Sequence, residues 1–135
     1  MKDELEGLLF KRTNELFDLE DKIILYDLTN TYFEGRMKNS NLAKFGRSKE
    51  TRKDARLIVL AVVINIEGFL KYSNIFEGNM TDNKILETIV NALSNQTSFA
   101  NRKLIVVIDE GIATDDNLKL LKRSVMTICV CHVPI

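Results

Sequence analysis

Two kinds of apolar periodicity run along the chain. "LIVLAVVIN" at 57–65 is apolar on both faces, the pattern of a strand covered on two sides and lying inside a sheet. "IILYD" at 23–27 and "LIVVID" at 104–109 are shorter β-rich runs, each closing on an aspartate, Asp27 and Asp109. "IEG" at 66–68 is a turn signal, and the mixed run from Phe69 to Phe76 behind it predicts an antiparallel hairpin with 57–65. In "TDNKILETIVNALSNQ" the residues Ile85, Leu86, Ile89, Val90 and Leu93 recur at helical spacing, with Thr81 or Asp82 placed to cap the start. Thr114 is the expected N-cap of a further helix reaching about Arg123, with Asp115 and Asp116 in its first turn. "MTICVCHVPI" at the end reads as a last strand. A short helix over 3–17 is suggested by Leu5, Leu8, Leu9, Leu16 and Phe17, stopping near the acidic run Asp18 to Asp21.

The predicted order is helix, strand, long loop, strand, strand, helix, strand, helix, strand. A hairpin followed by a helical crossover gives an α/β architecture with a mixed sheet. If the strand ending at Asp109 lies parallel and adjacent to that ending at Asp27, both carboxylates leave the sheet at one end. Strands about 4.8 Å apart then let them share one or two divalent cations. Metal-assisted phosphoryl transfer uses such a pair, because charge develops on both the attacking and leaving oxygens. Taken singly, each aspartate is equally well a turn residue accepting backbone N–H groups.

Composition narrows the classes. The chain has 135 residues, 45% of them apolar, enough for one domain with a core. Nineteen basic residues balance nineteen acidic ones, so net charge points to no partner. The distribution does: from Arg36 to Arg56 eight basic side chains stand against two acidic ones, a local net of +6. With Asn39, Ser40, Asn41 and Gly46 this is a loop, either simply solvated or in contact with a polyanion. Arg47, Lys49, Arg52, Lys53 and Arg56 are the candidate contacts to such a polyanion. No apolar run is long enough to span a membrane and no export signal is evident, which with two cysteines, Cys129 and Cys131, on one side of a strand makes a reducing cytoplasm the expected location.

"YDLTNTYFEG", "GRSKETRKDARLIVLAVVINIEGFLKYSNIFEGNMTD" and "VIDEGIATDDNLKLLK" together resemble the catalytic domain of bacterial insertion-sequence transposases of the DDE class. The resemblance covers about Ile23 to Lys122. It implies a ribonuclease H-like fold in which Asp27 and Asp109 match the first two catalytic, metal-binding aspartates, a Mg²⁺ or Mn²⁺ cofactor, and transposon-end and target DNA as partners. It implies strand cleavage and transfer, with a homo-oligomer or an intact transposase as a further partner. The chain departs from the pattern in having Lys53 before Asp54, where the family often has proline, and Glu110 after Asp109. Gly78 and Asn79 with Asp82 match the family's turn into its first core helix, where a positive φ would explain the glycine. The family's third ligand, a glutamate on a later helix, has no match before Ile135. Residues 1–135 are therefore expected to form a single partial domain: a lead-in at 1–22, a core at 23–131 and the basic loop at 36–56. The fragment is expected to be inactive alone. The alternative is a non-catalytic remnant that binds DNA or an intact transposase. An aspartyl-phosphate enzyme fits less well, since Thr29 stands where a second aspartate is wanted. Cys129, Cys131 and His132 match no zinc-ligand spacing.

Overall fold

Residues 23–32 form one long strand, β1 (Ile23–Tyr32), so the run does not end on Asp27 as expected from the sequence but continues for five residues beyond it. The cause lies in the partner. β2 (Leu57–Asn65) pairs antiparallel with β1 along the whole length, from Ile24 opposite Asn65 to Tyr32 opposite Leu57. Thr29, Thr31 and Tyr32 suit a pleated, half-exposed strand. The computed structural model describes residues 1–17, 22–35, 37–46, 55–94, 104–124 and 127–131. Among these, β3 (Leu70–Glu77), β4 (Ile105–Asp109) and β5 (Thr127–Cys131) complete a five-stranded mixed sheet in the order β3-β2-β1-β4-β5. The β1–β4 and β4–β5 pairs are parallel and the other two are antiparallel.

The β2–β3 hairpin turns where the sequence signals it. Gly68 has φ +86°, and the buried Asn65 side chain accepts from the Phe69 amide at 2.8 Å, fixing the turn locally. Along β2 buried and half-buried residues alternate. Leu57, Val59, Ala61 and Val63 join the core, and Ile58, Leu60, Val62 and Ile64 face the other side, less covered.

That core face is closed by α2 (Asp82–Ser94) and α3 (Asp115–Arg123). Every member of the predicted stripe on α2, Ile85, Leu86, Ile89, Val90 and Leu93, is buried. Each such side chain contributes about 1.5–3 kcal/mol by leaving water. α3 starts where expected: the Thr114 hydroxyl accepts from the Asn117 amide at 3.3 Å, Asp115 and Asp116 occupy the first turn, and Lys122 and Arg123 the last. Leu121 is its fully buried anchor.

α1 (Lys2–Phe17) buries no residue fully and touches the sheet at β3. Lys71, itself 2% exposed, donates to Asn14 Oδ1 at 2.8 Å and lies 4.6 Å from the Phe10 ring centroid. The Ser73 hydroxyl donates to Glu6, and Phe17 meets Phe69 at a centroid distance of 5.0 Å. No helix among the described residues is long and apolar enough to cross a membrane.

The first part of the basic stretch is tied to the end of the sheet through backbone. Lys44 and Leu57 exchange hydrogen bonds of 3.1 and 2.9 Å, and the Gly78 amide donates to the Leu42 carbonyl at 3.2 Å. A Cβ on Gly46 would lie 1.7 Å from the Gly78 carbonyl oxygen, and one on Gly78 would lie 2.0 Å from that of Leu57. Gly78 is therefore required for close backbone approach and not, as expected, for a positive φ, which among the described glycines belongs to Gly35 and Gly68. Gly78→Ala is expected to destabilise the chain by about 1–3 kcal/mol. Gly7→Ala, where an added methyl meets nothing within 4 Å, is expected to leave stability equal or raise it. Urea unfolding of the two variants checks both signs.

Candidate metal and nucleic-acid site

Register decides where the two aspartates fall. β1 and β4 run parallel with Ile23 opposite Ile105, Leu25 opposite Val107 and Tyr26 opposite Ile108. One further step along both strands sets Asp27 beside Asp109. Side chains alternate, and Ile24, Tyr26, Val106 and Ile108 are all buried on the helix-covered face. Asp27 and Asp109 therefore share the opposite face. Asp27 is exposed and Asp109 half-buried. Asp109 ends β4, and a short 3₁₀ turn, Glu110–Ile112, carries the chain away from the sheet. Asp27 sits in the middle of its strand.

At a strand spacing of about 4.8 Å the two carboxylates offer hard oxygen donors to one region of solvent-facing surface. That donor set fits Mg²⁺ or Mn²⁺, which are held by one or two carboxylates and complete their shell with water and phosphate oxygens. Among the described residues no cluster of three or more His, Cys, Asp or Glu side chains is placed to hold a metal ion. The row continues onto β5, where Cys131 lies opposite Asp109. Cys129 and Cys131 are exposed free thiols on the same face. His132 lies outside the described residues.

Tyr26, the residue before Asp27, was not singled out in the sequence. It points the other way, into the core, where its hydroxyl is buried without a hydrogen-bond partner among the described residues. Burial pushes the phenol well above its ordinary range, and the negative charges of Asp82 and Asp27 add to the effect. Asp82 is the first residue of α2, so Tyr26 joins the floor of the carboxylate strand to the start of that helix. The signal for this was the apolar alternation that makes position 26 face inward.

Of the five candidate DNA contacts, Arg47, Lys49, Arg52 and Lys53 lie outside the described residues. Arg56 is half-buried and holds its own loop. Its Nη1 donates to the carbonyls of Met37 and Ala43, each at 3.3 Å, and its guanidinium carbon lies 5.2 Å from the Phe45 ring centroid. A guanidinium has five N–H donors, so others remain for a phosphate. Lys44 and Arg56 flank the Tyr32 end of β1, five residues or about 17 Å along the strand from Asp27.

No known family pattern matches the sequence, and no curated protein matches it significantly. Solved structures do match in fold. The catalytic domain of Mos1 mariner transposase aligns with 91% of this chain and 55% of its own length, at 13% identity and a TM-score of 0.51. A chain of the simian T-cell lymphotropic virus intasome aligns with 87% of this chain and 36% of its own, at 16% identity and 0.51. The Mos1 mariner paired-end complex with Mn gives 13% identity and 0.50, with 91% of this chain against 39% of that one. The chain thus spans between about a third and just over half of these neighbours. At such identities the likeness establishes the fold, the ribonuclease H-like mixed sheet of transposase catalytic domains.

Two expectations follow from the site. Tyr26 is protonated in the fold to a higher pH than in the unfolded chain, so its contribution to stability is intact below about pH 10 and is lost as pH rises beyond it. Tyr26→Phe, which also removes a buried unpaired hydroxyl, should equal or exceed the parent in stability at pH 8 and widen its advantage above pH 10, by up to about 1.4 kcal/mol per pH unit; unfolding midpoints across pH give the comparison. Second, a fluorophore attached to Cys131 in a Cys129→Ser background should be quenched by Mn²⁺ in a saturable way. Asp27→Asn or Asp109→Asn should abolish the saturable phase.

Proposed function

We propose that this chain carries part of the catalytic core of a DNA transposase of the DDE class, of the bacterial insertion-sequence kind. The observation that supports it most is the register of β1 and β4, which sets Asp27 and Asp109 side by side on one face of a ribonuclease H-like sheet. Mg²⁺ or Mn²⁺ held there would supply Lewis-acid stabilisation of the oxygens that gain charge during phosphodiester cleavage and strand transfer. The protein's own contribution is positional. The strands fix the two carboxylates on a rigid backbone, and the basic segment from 36 to 56 attracts the DNA backbone. Transposon-end and target DNA are the partners on this reading, and the compartment is the cytoplasm. On this reading Asp27 and Asp109 are two of the three acidic ligands, so the chain alone binds metal weakly and does not turn over DNA at a measurable rate. A remnant that binds DNA without chemistry is the competing reading, in which the aspartates play no part.

The test is a pair of assays on the same protein, DNA binding as a function of salt and nicking of supercoiled DNA with Mn²⁺. Replacing Arg47, Lys49 and Arg52 by alanine should weaken DNA binding and make the slope of log K against log salt shallower by up to about 2.7. With Mn²⁺ present, Asp27→Ala should lower DNA affinity if the metal bridges protein and phosphate. DNA binding indifferent both to Mn²⁺ and to Asp27→Ala supports the remnant and rejects the catalytic reading. Robust nicking that depends on Asp27 overturns the inactivity of the isolated chain.

A further inference from the structure

A cavity of about 270 Å³ opens between α2 and α3, on the helix-covered side of the sheet and away from the carboxylate row. Asn117 lies at its floor and is 0% exposed. Only half of that side chain is used. Nδ2 donates to the Ile112 carbonyl at 2.8 Å, and because a carbonyl can only accept, this bond fixes which way the amide points. Oδ1 is left buried with no hydrogen-bond partner among the described residues. A buried acceptor in that condition is costly and uncommon, and it calls for a donor from the cavity.

The rim of the cavity is charged. Lys84 and Glu87 stand one turn apart on α2, clear of its buried stripe, and Asp116, Lys119 and Arg123 form the wall on α3. Asp116 and Lys119 face each other at 3.9 Å. Lys84, Glu87 and Arg123 make no ion pair with another described residue. The groups open to a ligand are therefore two cations, one carboxylate and one neutral acceptor.

We propose that this cavity binds an amino dicarboxylate of the size of aspartate or glutamate. The ammonium of the ligand donates to Asn117 Oδ1 at the floor and to Glu87 at the rim, and its two carboxylates meet Lys84 and Arg123. A ligand of charge −1 offsets the single excess cation of the lining. Size agrees as well: the cavity falls just below the roughly 300–1,000 Å³ that encloses drug-sized ligands, which suits a molecule of about ten heavy atoms. Exposed ion pairs contribute little by themselves, so selectivity rests on the buried oxygen, which only a ligand carrying a donor to the floor can satisfy. None of these residues lies in the carboxylate row or the basic segment, so this site is independent of metal and of DNA.

Titration of the intact, isotope-labelled chain with glutamate or aspartate at constant ionic strength, followed by amide NMR, is the test. Saturable shifts are expected in α2, in α3 and at the Asn117 side-chain amide, with a dissociation constant of about 1 mM or below, and saturating ligand should raise the unfolding temperature. Glutarate, which lacks the ammonium, and glutamine, which has one carboxylate, should each bind at least about tenfold more weakly. Glu87→Gln and Lys84→Met, both at exposed positions, should each weaken glutamate binding by about twofold to fivefold. Asn117→Leu removes the acceptor and should abolish binding; should that buried substitution fail to fold, the Asn117 amide shift in the parent carries the same information. Absence of saturable shifts up to about 20 mM overturns the proposal. Equal binding of glutarate and glutamate overturns it too, since the site is then only a patch of surface cations. Binding that leaves the Asn117 amide unmoved, or that ignores both Glu87→Gln and Lys84→Met, puts the ligand elsewhere and rejects this cavity.

Discussion

The parallel pairing of β1 with β4 is the interaction on which the site depends. Asp27 and Asp109 are separated by more than half the chain, and nothing local brings them together. Hydrogen bonding across four residue pairs, from Ile23 with Ile105 to Tyr26 with Ile108, sets the relative height of the strands. A slip of one residue would turn one carboxylate into the helix-covered core, because successive side chains point to opposite faces. The register is held by burial: Ile24 and Tyr26 on one strand, and Val106 and Ile108 on the other, cannot exchange faces with aspartates without exposing large apolar groups and burying charge. The hydrophobic core thus fixes a polar site that lies on its far side.

The crossover that makes this pairing possible is equally constrained. A parallel neighbour for β1 requires a connection that returns over one face of the sheet. β2 and β3 form the hairpin first, and α2, with five buried apolar side chains in one stripe, then covers the face of β1 and β2 on the way to β4. Asp82 opens that helix, and its charge is felt by the Tyr26 phenol in the floor below Asp27. The start of the crossover and the carboxylate strand are coupled through a buried group that has no hydrogen-bond partner among the described residues.

Most of the fold was legible in the sequence because periodicity and caps act locally. The stripe on α2, the Thr114 cap, the "IEG" turn and the doubly apolar β2 each correspond to an element with nearly the expected bounds. The end of β1 was misplaced because Leu28 to Tyr32 holds three consecutive polar residues, Thr29, Asn30 and Thr31, and has no strong local signal; the strand persists there through five of the nine antiparallel pairs with β2, which only the tertiary fold supplies. The role of Gly78 was misread for a related reason. A positive φ is a local property, but the contact of Gly78 with the Leu57 carbonyl joins segments more than twenty residues apart. For the site, the types of residue were legible and their adjacency was an expectation that required topology. Arg56 shows the limit of counting charge, since in the structure it clamps Met37, Ala43 and Phe45 while remaining part of a basic segment.

The two faces of the sheet therefore have different physical tasks. The face under α2 and α3 is closed, and its side chains at positions such as Ile24, Leu57, Val63 and Ile108 are essentially out of water. The other carries Asp27, Asp109 and Cys131 along one row, flanked by half-buried aliphatics such as Leu25 and Val107. Such a setting leaves Asp27 exposed and Asp109 half-buried, both with access to solvent. It also separates stability from chemistry. Truncating Ile24 or Ile108 opens a cavity in the closed layer, whereas replacing Asp27 by asparagine removes a charge at an exposed position in mid-strand and leaves the packing of that layer intact. Because the two carboxylates and the fold's apolar support reside on opposite sides of the same two strands, an Asp27 variant tests the proposed site without disturbing the closed layer.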